Sequence, residues 1–185
     1  MAQPEDPPLR TLPAVALIHQ EGVIGIIALI GLSFRSPGLV GSLSPKGSAI
    51  LALTGGIGAG ALCAGLFWLL RRLPALAELE GWQRRMVRGW SATDAAAVAV
   101  FSGLAEEALV RALLQPLIGL LPAALLFAAL HFMPDRRLWL WPLLALTLGV
   151  MLGGLFEFGG YPAAAAAHIT INAVSLSRLQ RAVGE

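Results

Sequence analysis

Long apolar segments restrict this chain to one class of fold. Hydrophobic residues make up 57% of its 185 residues, and charged residues make up only 13%. A helix that crosses the hydrocarbon core of a bilayer needs about 20 mostly apolar residues, because each residue advances the helix by about 1.5 Å. Several segments of the chain have this length. The sequence therefore predicts an all-α fold, a polytopic membrane helix bundle.

The apolar segments predict six membrane helices, at 14–34, 48–70, 92–114, 118–133, 138–157 and 161–178. The fourth is short for a core about 30 Å thick, so we expect it to be tilted or re-entrant. The connection between the second and third helices mixes Leu, Glu, Trp and Arg, which is typical of a segment on the membrane surface. The predicted units are a disordered cytoplasmic N-terminus (1–13), two helices with the interfacial segment (14–90), a membrane core (91–178) and a C-terminal tail (179–185).

The arginine residues predict the orientation of the bundle. With six crossings, both termini share one side with the connections after the second and fourth helices, and that side holds ten arginines. The opposite side holds only Arg35 and Lys46. Because basic residues are retained on the cytoplasmic side, both termini are predicted in the cytoplasm, in a multi-pass protein of a bacterial inner membrane. These basic residues flank apolar segments, so we expect the lipid bilayer and no nucleic acid as a partner.

Three polar motifs lie within the apolar segments. A charged side chain at the bilayer centre costs about 2.5 to 3.5 kcal/mol, so such residues usually face a protein interior or a water-filled cavity. Residues four positions apart share one face of a helix. We therefore expect the motifs to form one site: Glu106-Glu107-Ala-Leu-Val-Arg111, Phe127-Ala-Ala-Leu-His131 and His168-Ile-Thr-Ile-Asn172.

The first motif supplies a candidate general base. Glu107 and Arg111 have the spacing and order that favour a helix ion pair. Glu106 projects about 100° away around the helix and is left free to activate water. An intramembrane ion pair can also serve only to lock two helices together. Another acid, Glu21, lies near the start of the first helix, and we expect it at the membrane interface.

The other two motifs supply a water partner and hydrogen-bond donors. His131 is predicted to share the water with the general base, and Phe127 one turn earlier would wall the site. His168 and Asn172 could stabilise an oxyanion during attack on an amide. Both motifs can also be explained without catalysis. A histidine at a helix end is often interfacial, and an asparagine often forms a hydrogen bond to a neighbouring membrane helix.

In this order and on membrane helices, the motifs resemble the signatures of the CPBP family. This is the CAAX protease and bacteriocin-processing family of intramembrane endopeptidases, also called ABI, and its members include myxosortase-type enzymes. The resemblance covers about residues 95–177, and the first 90 residues carry no match. It implies that 91–178 is the catalytic core, that Glu106 and His131 activate water, and that His168 and Asn172 hold the oxyanion, with Glu107, Arg111 and Phe127 in support.

The resemblance implies an intramembrane endopeptidase that needs no cofactor. Its substrate would be a membrane-anchored protein or peptide, cut near the anchored, C-terminal end by water that a glutamate and a histidine activate. Two alternatives remain open. One is a zinc-dependent CAAX-type metalloprotease that uses His131, His168 and a glutamate, although the chain has no His-Glu-x-x-His motif. The other is a non-catalytic membrane immunity or scaffold protein.

The predicted helix ends also give a depth for the site. Counting about 1.5 Å per residue places Glu106 and His168 in the extracytoplasmic half of the membrane. The same count along a straight fourth helix places His131 near the cytoplasmic face, so that helix must be short, tilted or re-entrant for one site to form. Because two of the three motifs agree in depth, we predict a site that opens toward the extracytoplasmic half.

Overall fold

The computed structural model describes residues 11–181. Within this range the chain folds into nine α-helices, with a π-helical segment (Ala108–Leu114) between α5 and α6 and a 3-10 turn (Arg136–Leu138) before α8. The α-helices are α1 (Ala14–Ser33), α2 (Gly38–Leu43), α3 (Ala49–Leu70), α4 (Pro74–Met86), α5 (Ala92–Glu107), α6 (Gln115–Ile118), α7 (Leu120–Leu130), α8 (Leu140–Gly159) and α9 (Tyr161–Arg181). The chain is an all-helical polytopic membrane bundle, as predicted.

Three helical segments of the described chain are long and apolar enough to cross a bilayer: Ala14–Ser33, Ala49–Leu70 and Arg136–Gly159. The polar motifs lie on other helices, of which α5 has 16 residues and α7 has 11, so both are shorter than the three candidate spans. Six crossings and cytoplasmic termini stay predictions.

The ends of the chain depart from the predicted units. Leu12 donates its backbone N–H to the carbonyl of Met86 at 2.8 Å, so the predicted disorder of 1–13 is wrong at this residue. Helix α9 continues to Arg181, and Leu179 is buried against other helices. The predicted tail therefore begins as helix. The rest of both predictions, at 1–10 and 182–185, lies outside the described residues.

Helix α9 packs between α3 and α5. Small residues permit the close approach on both sides. A Cβ atom on Gly60 of α3 would come within 2.6 Å of the Ala167 carbonyl oxygen, and one on Gly103 of α5 would come within 2.9 Å of the Ile169 nitrogen. Because the backbones meet at 167–169, the polar residues of α9 lie directly against α5.

A capping box fixes the start of α5. The Ser91 hydroxyl accepts the backbone N–H of Asp94 at 3.1 Å, and the Asp94 carboxylate accepts the backbone N–H of Ser91 at 2.8 Å. The helix is regular as far as Glu107 and then widens into the π-helical segment. Such segments are frequent at functional sites because they re-aim side chains within a helix. Here the change occurs directly after the paired glutamates.

Candidate active site

One cavity of about 560 Å³ gathers residues from all three polar motifs. Helices α5, α7 and α9 contribute the side chains predicted to act on substrate and the aromatic wall: Glu106, Phe127, His131, His168 and Asn172. The two remaining motif residues, Glu107 and Arg111, are fully buried behind the cavity. The three motifs therefore meet in space, and the residues divide into a set that lines the cavity and a set that supports it.

The short α7 brings His131 to the same depth as the other motifs. The helix has 11 residues, so it extends only about 16 Å, roughly half of the hydrocarbon core. His131 follows its last residue. The sequence predicted a helix over 118–133, and the observed helix is shorter at both ends, in keeping with the short or re-entrant fourth helix that a single site requires.

Glu106 and His131 face each other at the centre of the site. The Glu106 Oε2 and His131 Nε2 atoms lie 3.9 Å apart, which is too far for a direct hydrogen bond and close enough for one water molecule to contact both. His131 Nδ1 lies 2.8 Å from the Phe127 carbonyl oxygen. A carbonyl only accepts, so Nδ1 carries the hydrogen, and Nε2 of the neutral ring is an acceptor. A water between these atoms would donate one hydrogen to each.

The Glu107 carboxylate accepts hydrogen bonds from two side chains at once. Its Oε2 atom accepts from Arg111 Nε at 3.0 Å, and its Oε1 atom accepts from His168 Nδ1 at 2.9 Å. All three side chains are buried. The predicted ion pair is present, and it also fixes the ring of His168, a contact that helical spacing alone did not indicate.

The Phe127 ring separates the two histidines. Its centroid lies 4.5 Å from that of His131 and 5.7 Å from that of His168. The Arg111 guanidinium carbon lies 5.0 Å from the same centroid, a distance at which cations and aromatic rings attract. The ring therefore sets the spacing of the site from within the buried core.

Asn172 is held by a residue that the sequence analysis missed. Its side-chain amide donates to the Ser102 hydroxyl at 2.9 Å. Ser102 lies one turn before Glu106 on the same face of α5, and this i,i+4 spacing is the signal that could have identified it. The amide has a second hydrogen, which is available to a substrate.

Glu21 is the second site residue that was missed. We expected it at the interface, and this prediction is wrong: it is 5% exposed and lines the same cavity as Glu106. An acid within a long apolar helix is itself a signal, since such residues usually face a protein interior or cavity.

The cavity extends toward the arginine-rich side of the bundle. From Glu106 it extends past α4 to Arg71 and Arg178. On the opposite side, contacts join the helix ends: Lys46 N–H to the Gly159 carbonyl at 3.2 Å, and the Tyr161 hydroxyl to the Leu104 carbonyl at 3.1 Å. These lining residues favour the side opposite to the predicted extracytoplasmic opening, and the side stays a subject for experiment. The position of a residue along its helix gives its depth between the two membrane faces. The packing of the helix ends decides on which of these faces the cavity is closed.

The described residues contain no group of three or more His, Cys, Asp or Glu side chains arranged to hold a metal ion. His168 Nδ1 is engaged by Glu107, and a carboxylate holds a metal-binding histidine in the same way, so this contact does not exclude the zinc alternative. The zinc alternative, with His131, His168 and a glutamate, stays a prediction.

A comparison with protein families identifies the segment that carries the site. Residues 88–174 match the family model described as type II CAAX prenyl endopeptidase Rce1-like. This segment is a CPBP-family domain. No curated protein and no solved structure matches the chain significantly.

The CPBP domain contains all three motifs, from the start of α5 to the middle of α9. The match agrees with the resemblance read from the motifs, and it assigns residues 88–174 to a family of membrane peptidases. The myxosortase-type subclass stays a prediction. Helices α1 to α4 lie outside the matched segment, and α1 nevertheless contributes Glu21 to the site.

Proposed function

We propose that this protein is an intramembrane endopeptidase in which Glu106 and His131 activate water. The observation that carries the proposal is the pair of acceptors, Glu106 Oε2 and His131 Nε2, 3.9 Å apart in a cavity large enough for a peptide segment. Two acceptors orient both hydrogens of one water and leave its lone pairs free for attack. A general base acts best when it is held within hydrogen-bond reach of the proton it removes.

The proposed reaction needs no group beyond water and the chain's own residues. Glu106 takes a proton from water as the water oxygen bonds to the scissile carbonyl carbon. The tetrahedral intermediate then breaks its C–N bond, and the proton on Glu106 passes to the leaving nitrogen. The products are a new carboxyl terminus and a free amine, and Glu106 is again ionised.

His168 and Asn172 are proposed to stabilise the oxyanion. His168 Nδ1 donates to Glu107, so in the imidazolium form its Nε2 is a donor toward the cavity. Glu107 stabilises that cation. The amide of Asn172 adds a second donor, held in place by Ser102.

Asn172→Ala is expected to lower kcat by roughly 10²- to 10³-fold, as loss of one oxyanion donor does in other hydrolases. KM should change little, because the oxyanion forms only after the substrate has bound, in the tetrahedral intermediate and the transition states that flank it. Steady-state kinetics on the purified variant would measure this. Ser175→Ala, another cavity-lining change on α9, is the matched control. An Asn172→Ala variant with normal kcat and poor yield would instead indicate a structural role.

The mouth of the cavity favours a substrate with a nearby C-terminus. Arg71 and Arg178 flank the ring of Trp68, with guanidinium carbons 5.6 and 5.7 Å from its centroid. Two cations at an apolar cavity would attract a terminal carboxylate while the lipid-anchored part of the substrate stays in the bilayer. By the positive-inside rule this mouth faces the cytoplasm, so we propose cleavage near the C-terminal, membrane-anchored end at the cytoplasmic face.

A thiol-labelling experiment tests the proposed side. On a Cys63→Ala background, Ser175→Cys in the cavity should react with a membrane-impermeant thiol reagent only after the cytoplasmic face is opened. Ser36→Cys, at an exposed position on the opposite side, should react in intact cells. If Ser175→Cys reacts in intact cells and Ser36→Cys does not, the proposed orientation is reversed.

Cleavage of a defined probe tests the function. The purified full chain in lipid vesicles would be incubated with a prenylated peptide that ends in a CAAX sequence, and the products identified by mass spectrometry. We expect one cut near the modified cysteine. Binding of the probe without a cut would favour the non-catalytic alternative.

A further inference from the structure

Helix α1 reaches the active site although it lies outside the family-matched segment. It packs along α5, and the contact is close near the paired glutamates: a Cβ atom on Gly25 would lie 3.5 Å from the Cβ of Ala105. Glu21 is one turn before Gly25 and therefore on the same face of α1. This register places the Glu21 side chain beside that of Glu106.

Glu21 and Glu106 form a pair of carboxyl groups with little access to water. Glu21 is 5% exposed and Glu106 is 9% exposed, and both line the cavity. The neighbouring Glu107 is different, because it is bound to Arg111 and His168. No ion pair to a lysine or arginine of the described residues reaches either Glu21 or Glu106.

A hydrogen bond between these two acids requires a proton. An ionised carboxylate only accepts hydrogen bonds, so two carboxylates cannot bond each other. The Oε2 atoms of Glu21 and Glu106 are both buried, and neither has a hydrogen-bond partner among the described residues. A proton on one carboxyl group supplies the missing donor and removes the repulsion between two buried negative charges.

We propose that Glu21 is a positioning residue of the peptidase site, which carries this proton and donates it in a hydrogen bond to the Glu106 carboxylate. The bond fixes the Glu106 carboxylate so that Oε2 faces His131 Nε2 and the reacting water. The proton stays on Glu21 through the cycle, while Glu106 takes the water proton and passes it to the leaving nitrogen. The assignment rests on the proposed function, and it gives the N-terminal helix a part in the chemistry.

Infrared spectroscopy tests the shared proton without substrate. At neutral pH the exposed acids are ionised, so the C=O stretch of a protonated carboxylic acid would come from a buried side chain. The full chain in lipid vesicles should show this band. The band should disappear in Glu21→Gln, whose amide donates to Glu106 instead. It should persist in Glu78→Gln, a change at an exposed acid of α4. Absence of the band in the wild-type chain, or its persistence in Glu21→Gln, would overturn the proposal.

Kinetics separate positioning from packing. Glu21→Leu keeps side-chain bulk and removes the donor, and we expect it to lower kcat by roughly ten- to a hundredfold with little change in KM, as loss of a hydrogen bond to a charged group would. Glu21→Gln should recover most of this loss. Equal kcat in wild type and Glu21→Leu, or equal loss in both variants, would contradict a positioning role.

The two experiments also distinguish this inference from the function on which it rests. If the wild-type chain does not cleave the prenylated CAAX peptide, the proposed function fails and the positioning role fails with it. The infrared band would still establish whether Glu21 and Glu106 share a proton. If the wild type cleaves and Glu21→Leu cleaves equally well, only the role of Glu21 is lost.

Discussion

Glu106→Gln is expected to lower kcat by roughly 10²- to 10⁴-fold, the usual contribution of a general base. Glutamine has nearly the same shape, so the cavity and its contact with Glu21 should survive, but its amide cannot take a proton from water. The protein should therefore reach the membrane in normal amounts. The measurement is single-turnover cleavage of the prenylated CAAX peptide by the purified variant in lipid vesicles.

Glu78→Gln is the matched control for this change. Glu78 is an exposed acid on α4, so the same substitution there should leave kcat unchanged. Wild-type turnover in Glu106→Gln would remove Glu106 from the mechanism. His131→Ala should show a comparable loss, because base and water partner act as a unit and their effects do not add.

Glu107→Ala is expected to destabilise the folded protein by about 3 to 5 kcal/mol, the usual cost of leaving a buried charge without its partner. Arg111 is fully buried, and its Nε–Glu107 contact is its only hydrogen bond among the described residues. Removing Glu107 leaves that cation alone in the core and also frees the ring of His168. Thermal unfolding in mild detergent would measure the stability.

A double variant separates the structural and chemical parts of Glu107. Glu107→Ala combined with Arg111→Met removes both charges, so it should recover much of the stability. Activity should stay low, because His168 Nδ1 still lacks its acceptor. Glu80→Ala is the matched control: Glu80 forms a partly exposed pair with Arg84 at the same spacing, worth about 0.5 kcal/mol. Equal stability of the single and double variants would argue against a buried ion pair.

The sequence was sufficient to predict the helices and the motifs of the site. Apolar segments of bilayer length gave the long helices close to their observed ends, because lipid leaves few other solutions for the backbone. Spacing of four residues correctly paired Glu107 with Arg111 and indicated that the other motifs each lie on one helix face. These are local properties, which a helix expresses wherever it packs.

Features that depend on packing between helices were not predictable in the same way. The position of Glu21 beside Glu106 depends on how α1 is rotated and shifted along α5, and no residue pattern within α1 sets that register. The side on which the cavity opens depends on contacts such as Lys46 with Gly159, which join distant segments.

The central claim is that Glu106 and His131 activate water without a metal ion. The most direct test is cleavage of the prenylated CAAX peptide by the purified wild-type chain in lipid vesicles, with and without a strong chelator and with zinc added back. The account predicts the same rate in all three conditions. Loss of cleavage in chelator followed by recovery with zinc would contradict it and establish the metalloprotease alternative.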